Sequence, residues 1–323
     1  MESPGARRSR RARPSRRRSL VHCVLATVAV LGATAAAGTV YVKGQAHSGR
    51  GAVSSSATPS APASVSAGGE ASMEPVVEAV PEPEVDHDAL LAKAMASVTA
   101  PGDAKVSVAV LDVGSGASAT YGSGSFDTAS IVKVDILAAL LLRAQDAGRQ
   151  LTAQEKAYAT AMIENSDNDS ATALWNAIGR AGGLDAANER FGLTGTEGGD
   201  GALWGLTQTT AADQLTLLQQ VFGEDSELSE ASRAYLQGLM GRIAVGQQWG
   251  VSAVADGSSW ALKNGWLPRS TTGLWDVNSI GRVTVDGQDY LVAVLSNGNA
   301  SQAQGITLVE AAAQAAVSAF TAG

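Results

Sequence analysis

Apolar and polar positions follow regular periods from about residue 89 to the end of the chain. Residues 106–112 alternate as a strand does, and Gly114-Ser115-Gly116 is typical of a hairpin turn into a second strand over 118–122. Three further strand patterns occur near the C-terminus, at 260–266, 274–285 and 289–297. The two groups of strands therefore lie at opposite ends of one segment.

Helical periodicity fills most of the space between these strands. The longest run extends from Ser130 to about Ala147, and its neighbours are apolar on all sides, which predicts a buried helix. The other helices are predicted over 89–98, 154–164, 169–179, 184–191, 209–222, 229–241 and 301–320. This order predicts an α+β fold, in which one antiparallel sheet built from both ends of the domain packs against a mostly helical block.

The residues before this domain predict a membrane segment and a tether. Residues 1–19 are rich in arginine and precede an apolar run over 20–42, which is long enough to cross a bilayer with the arginines in the cytoplasm. We expect an uncleaved anchor; the alternative is a signal peptide cleaved near Ala35-Ala36-Ala37. Residues 43–88 are rich in Ser, Ala, Pro and Glu, which predicts a flexible stalk. The domain at 89–323 is thus expected outside the cytoplasm, anchored to the cell membrane or secreted.

Composition restricts the chemistry available to this domain. The three histidines and the single cysteine all precede residue 88, so residues 89–323 contain neither imidazole nor thiol. Ser-His-Asp and Cys-His catalysis and Cys/His zinc sites are therefore excluded there. Acyl transfer would have to pair Ser or Thr with Lys or a carboxylate, and we expect no metal or organic cofactor. After residue 50 the chain carries 13 Lys+Arg against 30 Asp+Glu, which argues against a nucleic-acid partner.

The first candidate catalytic element is Ser130, followed three residues later by Lys133. A capping box would place Glu or Gln where Lys133 stands, and a cation there opposes the helix dipole. The apolar neighbours predict that this lysine is buried, at a cost that structure alone does not explain. The spacing puts Lys133 on the same face as Ser130, and desolvation favours a neutral amine that can accept the Ser130 proton.

The second element is Ser166-Asp167-Asn168, between two predicted helices. Taken alone, it indicates a helix–helix turn with Asn168 or Asp169 as the N-cap. Acyl transfer with a lysine base also needs a proton relay to the leaving group and an amide that fixes a substrate carbonyl. A hydroxyl and a carboxamide two residues apart would supply both, so Ser166 and Asn168 are candidates for these roles.

The third element is Leu262-Lys263-Asn264-Gly265-Trp266, on a predicted strand that Pro268 ends. A plain edge strand would carry its lysine as protection against edge pairing. Gly265 instead indicates close approach by a ligand or another backbone. Lys263 would supply positive potential to a substrate carboxylate and would lower the pKa of Lys133.

The backbone N–H of Trp266 is a candidate oxyanion donor opposite the N–H of Ser130. Its side chain, with that of Trp275, could also form the wall of a cleft. The remaining tryptophans of this region are expected in the core, namely Trp204, Trp249 and Trp260.

In this order, the Ser-x-x-Lys pair, the Ser-Asp-Asn triplet and the Lys-x-Gly triplet resemble the motifs of penicillin-recognising serine enzymes, most closely the class A β-lactamase-like branch. The resemblance spans residues 89–323 and implies a β-lactamase/DD-peptidase-like fold. The roles that it implies are nucleophile for Ser130, base for Lys133, proton relay for Ser166, and substrate binding for Asn168, Lys263, Asn264 and Gly265.

The chain departs from the family pattern in two places. Asn264 stands where these enzymes usually have Thr or Ser, whose hydroxyl helps to hold a β-lactam carboxylate. Class A enzymes also deacylate with a loop glutamate in a Glu-x-x-Leu-Asn setting, which no acid between Asn168 and Thr209 has here. Glu197 and Asp200 indicate a glycine-rich surface loop instead. We therefore expect acylation, whereas the group that removes the acyl chain stays open.

The sequence thus predicts an extracytoplasmic active-site-serine hydrolase that β-lactams or related amides and esters acylate at Ser130. One alternative is a D-Ala carboxypeptidase or esterase on the same fold. The other is a catalytically reduced binding domain of the cell envelope. The expected partner is a small molecule or a peptidoglycan-derived peptide, and we expect a monomer.

Overall fold

The computed structural model describes residues 85–321, and the predicted segments 1–19 and 20–42, with most of 43–88, lie outside the described residues. The strands are β1 (Lys105–Asp112), β2 (Ser118–Tyr121), β3 (Phe126–Asp127), β4 (Gln208–Thr209), β5 (Trp260–Pro268), β6 (Trp275–Val285) and β7 (Gln288–Asn299). The α-helices of the same range are α1 (His87–Met95), α2 (Val132–Asp146), α3 (Ala153–Glu164), α4 (Asn168–Ile178), α5 (Arg180–Phe191), α6 (Ala211–Phe222), α7 (Glu230–Met240) and α8 (Gln302–Thr321). Between residues 85 and 321, no helix has both the length and the apolar character that crossing a bilayer requires.

The five longest strands form one antiparallel sheet in the order β2-β1-β7-β6-β5. Strand β1 pairs with β7 over its full length, from Lys105 opposite Asn297 to Asp112 opposite Tyr290. The sheet is thus assembled from both ends of the domain, which confirms the predicted α+β class. The ladder between β3 and β4 was not predicted, because strands of two residues carry no periodic signal.

The sheet lies between two helical layers, each with its own core. Leu291 on β7 packs with α2 and α6, whereas its neighbour Val292 packs with α1 and α8 on the opposite face. Successive strand residues point to opposite faces, so a strand covered on both sides is apolar throughout. The helical block is confirmed, and α1 with α8 adds a layer that the sequence did not predict.

Helix α2 lies at the centre of the helical block and positions the candidate site. Every residue from Val132 to Leu142 is buried, as the apolar pattern predicted. Truncating a core leucine such as Leu137 to alanine would cost about 2–5 kcal/mol. A 3₁₀ turn over Ala129–Ile131 leads into the helix, so Ser130 lies in this turn and is not the helix N-cap.

Candidate active site

The three sequence elements meet through two lysine side chains. Lys133 Nζ donates to the backbone oxygen of Ser166 at 2.8 Å, to Ser166 Oγ at 3.0 Å and to Asn168 Oδ1 at 2.8 Å. Lys263 Nζ donates to the same Ser166 Oγ at 3.2 Å and to its neighbouring carbonyl, Asn264 O, at 2.8 Å. Helix α2, the start of α4 and strand β5 therefore converge on the Ser166 hydroxyl.

Both lysines have fully buried side chains. Burial lowers the pKa of Lys133 from 10.5 to about 7, against the opposing influence of the Asp167 carboxylate. Burial, and secondly the nearby Lys133, hold the pKa of Lys263 well below its ordinary value. Because Lys263 is buried on the edge strand β5, the protective edge-lysine interpretation is wrong.

The hydrogen bonds of Lys133 fix how a neutral amine would be oriented. A carbonyl oxygen only accepts, so the two N–H groups of the neutral amine are needed for Ser166 O and Asn168 Oδ1. The lone pair then faces Ser166 Oγ, whose own hydrogen can be donated to it. Lys263 donates to that oxygen from the other side. A proton can therefore pass between Lys133 and the Ser166 hydroxyl without moving a backbone atom.

Ser130 lines a cavity of about 460 Å³ together with Asn168, Trp204 and Trp266. None of the hydrogen bonds that Lys133 forms within residues 85–321 reaches Ser130. The preceding residue, Ala129, has φ of 49°, a left-handed conformation that is costly for a residue with a β-carbon. Ser166 has φ of 56°. Local backbone strain therefore occurs at Ser166 and at the residue before Ser130.

Gly265 brings strand β5 against the turn that carries Ser130. A β-carbon at Gly265 would lie 2.7 Å from Ser130 N and 2.8 Å from Ile131 N. The predicted close approach is thus confirmed, and the neighbour is another backbone. This contact sets the Ser130 N–H beside the residue that precedes Trp266, the candidate second oxyanion donor.

Asn264 has other partners than the expected substrate carboxylate. Its side chain is fully buried, and Nδ2 donates to the backbone oxygens of Gln247 at 2.7 Å and Trp249 at 2.9 Å. Adjacent strand residues face opposite sides, so Asn264 points away from the side of Gly265. We therefore correct its expected role: the amide ties β5 to residues 247–249.

Asp167 explains how Asn168 becomes available to Lys133. Asp167, and neither Asn168 nor Asp169, is the N-cap of α4: its carboxylate accepts a hydrogen bond from Ser170 N at 2.7 Å. Hydrogen bonds from Ser170 are the main reason that the pKa of Asp167 is lowered. Because Asp167 caps the helix, the Asn168 side chain can bind the lysine.

The loop between α5 and α6 contributes Trp204, which was expected in the core. Its ring centroid lies 4.9 Å from Lys133 Nζ, and its Nε1 donates to Thr172 Oγ1 at 3.2 Å. Trp204 follows a glycine-rich stretch without apolar periodicity. This sequence context is the signal that argues against a position in the core. Of the two tryptophans expected at the cleft wall, Trp266 lines the cavity and Trp275 does not.

The loop supplies no acid to Lys133. Glu197 is exposed, and its backbone pairs with Gln208, as expected for a surface loop. Among residues 85–321, no carboxylate forms an ion pair with Lys133. In the same range, no cluster of three or more His, Cys, Asp and Glu side chains has the arrangement of a metal site.

Comparison with known proteins points to one family. The model of the β-lactamase enzyme family matches residues 152–320, just over half of the chain; this range contains Ser166, Asn168 and Lys263 and begins after Lys133. No curated protein sequence matches the chain.

Solved structures share the fold at low identity. A mutant of PBP-A, in an acyl-enzyme complex with penicillin G, is 22% identical with a TM-score of 0.62, over 73% of this chain and 97% of that chain. The TLA-1 extended-spectrum β-lactamase is 16% identical with a TM-score of 0.62, over 72% and 98%. A representative of class A β-lactamase from Bacteroides cellulosilyticus is 14% identical with a TM-score of 0.62, over 74% and 100%. These structures establish the fold.

Proposed function

This chain belongs to the β-lactamase enzyme family, and from that premise we propose that it is a serine hydrolase acylated at Ser130 by β-lactams or related amides and esters. The observation that supports this most is the buried Lys133, whose pKa is about 7 and whose amine shares the Ser166 hydroxyl with Lys263. A base of that pKa is half deprotonated at neutral pH, which suits proton abstraction from a serine hydroxyl.

In the proposed acylation step, the Lys133 amine rotates so that its lone pair turns from Ser166 Oγ to Ser130 Oγ. Ser130 Oγ then attacks the substrate carbonyl carbon and its proton passes to Lys133 Nζ. The carbonyl oxygen becomes an oxyanion that the N–H groups of Ser130 and Trp266 can bind. When the carbon–nitrogen bond breaks, the leaving nitrogen takes a proton from Ser166 Oγ, and Lys133 replaces that proton through their 3.0 Å contact. The result is an ester at Ser130 and a neutral amine at Lys133, so the base is regenerated.

The same geometry supports slow removal of the acyl group. Hydrolysis of the ester needs a base that activates water, and within residues 85–321 no carboxylate is paired with Lys133. The Trp204 ring covers Lys133 instead, and its hydrogen bond to Thr172 holds it there. We therefore propose that acylation is faster than deacylation, so that the enzyme accumulates as an ester.

The proposed place of action is outside the cytoplasm, and the proposed natural substrate is a peptidoglycan-derived peptide. The support is the arginine-rich segment before an apolar run over 20–42 and the Ser/Ala/Pro/Glu-rich segment over 43–88. Protease accessibility of the domain in intact cells tests the location, because a cytoplasmic domain would stay protected.

Labelling with a fluorescent penicillin, followed by mass analysis of the adduct, tests the proposed chemistry. We expect a stable adduct on Ser130, slow nitrocefin turnover, and no adduct in Ser130→Ala. Ser97→Ala is the matched control, because Ser97 is an exposed serine just after α1, is not part of the cavity lining and should leave labelling unchanged. An adduct that persists in Ser130→Ala would contradict the assignment.

The same assay separates the alternative functions. Release of D-Ala from a peptide ending in D-Ala-D-Ala, with negligible nitrocefin turnover, would favour a carboxypeptidase. No adduct with penicillins, fluorophosphonates or ester probes would favour a binding domain that has lost catalysis.

A further inference from the structure

The direction in which a substrate lies follows from the proposed proton relay, and the inference below rests on that proposed function. Ser166 would protonate the leaving nitrogen, so the leaving group lies on the side of the two lysines. The acyl part must then occupy the cavity on the other side of Ser130. The lining of that cavity includes Ser130, Asn168, Trp204, Trp266 and Arg269.

Arg269 is the cationic residue that lines the cavity, and two carboxylates hold it from behind. Its Nη1 forms an ion pair with Asp127, and its Nε lies 4.0 Å from Asp276 Oδ2. The Arg269 side chain is 31% exposed, against 12% for Asp127 and 6% for Asp276. Neither carboxylate is part of the cavity lining, so an acyl group in the cavity meets the guanidinium first.

The guanidinium keeps donors that the protein does not use. Among residues 85–321, the Arg269 side chain donates a hydrogen bond through Nη1 alone, to Asp127, which leaves Nε and Nη2 without an acceptor. The carboxylate of Asp127 also accepts from the amide of Gln208, so its charge is shared. Burial, and secondly Asp127, raise the pKa of Asp276, which favours the uncharged form of this second carboxyl.

The cavity lining also contains neutral hydrogen-bonding groups next to this cation. Ser270 and Thr271 follow Arg269 in sequence and line the same cavity, together with the apolar side chains of Leu206, Trp204 and Trp266. An acyl chain that fits therefore combines apolar groups with a hydrogen-bond acceptor that can reach Arg269. A guanidinium binds a carboxylate there better than any neutral acceptor, since both hydrogen bonds are charge-assisted.

We propose that Arg269 selects substrates whose acyl part ends in a carboxylate. Asp127 and Asp276 are positioning residues, which aim the guanidinium at the cavity. Asp127 lies three residues before Ser130, so the same contact fixes the distance between the nucleophile and the end of the acyl chain.

Two cephalosporins of nearly equal shape test this selection: one with a glutaryl side chain and one with the corresponding glutaramide, which replaces the carboxylate by an amide. Mass analysis of the Ser130 adduct over time gives the second-order acylation rate for each. We expect the carboxylate probe to react about 10- to 100-fold faster in the unaltered protein. Arg269→Gln should remove that preference, and Arg269→Lys should keep part of it.

Arg282→Gln is the matched control, because Arg282 is a half-exposed arginine that packs on Phe222 away from the cavity and should leave the ratio unchanged. The variant with both Asp127→Asn and Arg269→Gln guards against misfolding, since it leaves no unpaired Asp127 charge. Failure of benzylpenicillin, whose acyl side chain is uncharged, to acylate Ser130 would overturn the proposed function and this inference with it. Normal acylation by benzylpenicillin, with a probe ratio near one or unchanged by Arg269→Gln, would overturn the inference alone.

Discussion

Lys133 and Asp135 stand two residues apart on α2, and both side chains are fully buried, yet their surroundings differ. Lys133 makes three hydrogen bonds to Ser166 and Asn168 beside the cavity. Asp135 faces α5 and α6, and neither of its carboxyl oxygens has a hydrogen-bond partner among the described residues. Burial shifts both pKa values toward the neutral form, to about 7 for the lysine and about 8 for the aspartate.

The comparison shows that a perturbed pKa does not by itself mark a catalytic group. Asp135 is near Asp185 and Asp213, which raise its pKa further after burial. Those two carboxylates anchor the loop that carries Trp204: Gly198 N donates to Asp185 at 2.7 Å and Gly195 N donates to Asp213 at 2.8 Å. Lys133 differs because its partners include a hydroxyl that can take and return a proton next to an open cavity.

Replacing Lys133 by alanine tests whether this lysine is the catalytic base, and of the changes considered it should lower the acylation rate most. Loss of a general base lowers rates by roughly 10²–10⁴-fold, and we expect that loss in the acylation of Ser130. Stopped-flow or mass-based acylation kinetics with benzylpenicillin measure it. Lys105→Ala removes an exposed lysine at the start of β1 and should change nothing. Full acylation by the Lys133→Ala protein would show that another group is the base.

The pH dependence of acylation comes next in size. Because the Lys133 pKa is lowered to about 7, the amine is mostly neutral above that pH and mostly charged below it. Acylation should therefore rise through pH 7 to a plateau and fall about tenfold per pH unit below it. Asp167→Asn should move the midpoint to lower pH, since Asp167 raises the Lys133 pKa. A flat profile from pH 5 to 9 would contradict a lysine base.

The local part of this site could be predicted from sequence, because motif spacing and helix periodicity report residues on the same element. Ser130 and Lys133 lie one turn apart, and a glycine within a strand indicated the close contact at Gly265. Asp167 as N-cap, by contrast, depends on backbone dihedral angles at one residue. Helix α5 begins at Arg180, earlier than the predicted 184, because Gly182 and Gly183 weaken the helical pattern.

Contacts between distant segments carried no sequence signal. The ring of Trp204 meets Lys133 because the loop is anchored on α5 and α6, and Arg269 meets Asp127 across 142 residues of chain. Asn264 was expected to bind substrate, but its side chain lies on the other side of β5, where it contacts residues 247–249. A sequence motif identifies a residue without showing on which side of the strand its side chain lies. The acidic surroundings of Asp135 likewise come from two other helices, α5 and α6.

Asp135→Asn tests the structural half of the comparison and should leave acylation within about threefold of normal. Below about pH 4, the Asp135 carboxyl is protonated in both the folded and the unfolded protein. Between about pH 4 and pH 8, this carboxyl ionises in the unfolded chain but stays protonated in the folded protein. The contribution of Asp135 to the free energy of unfolding is therefore lost as the pH rises from about 4 to about 8. Asparagine does not ionise, so the variant does not lose stability in this way. We expect little change in the free energy of unfolding at pH 4 and a gain of up to about 5 kcal/mol at pH 8, measured by urea denaturation. Asp146→Asn, an exposed position at the end of α2, should give no such pH-dependent gain. A strong loss of acylation in Asp135→Asn would mean that this carboxyl serves the site after all.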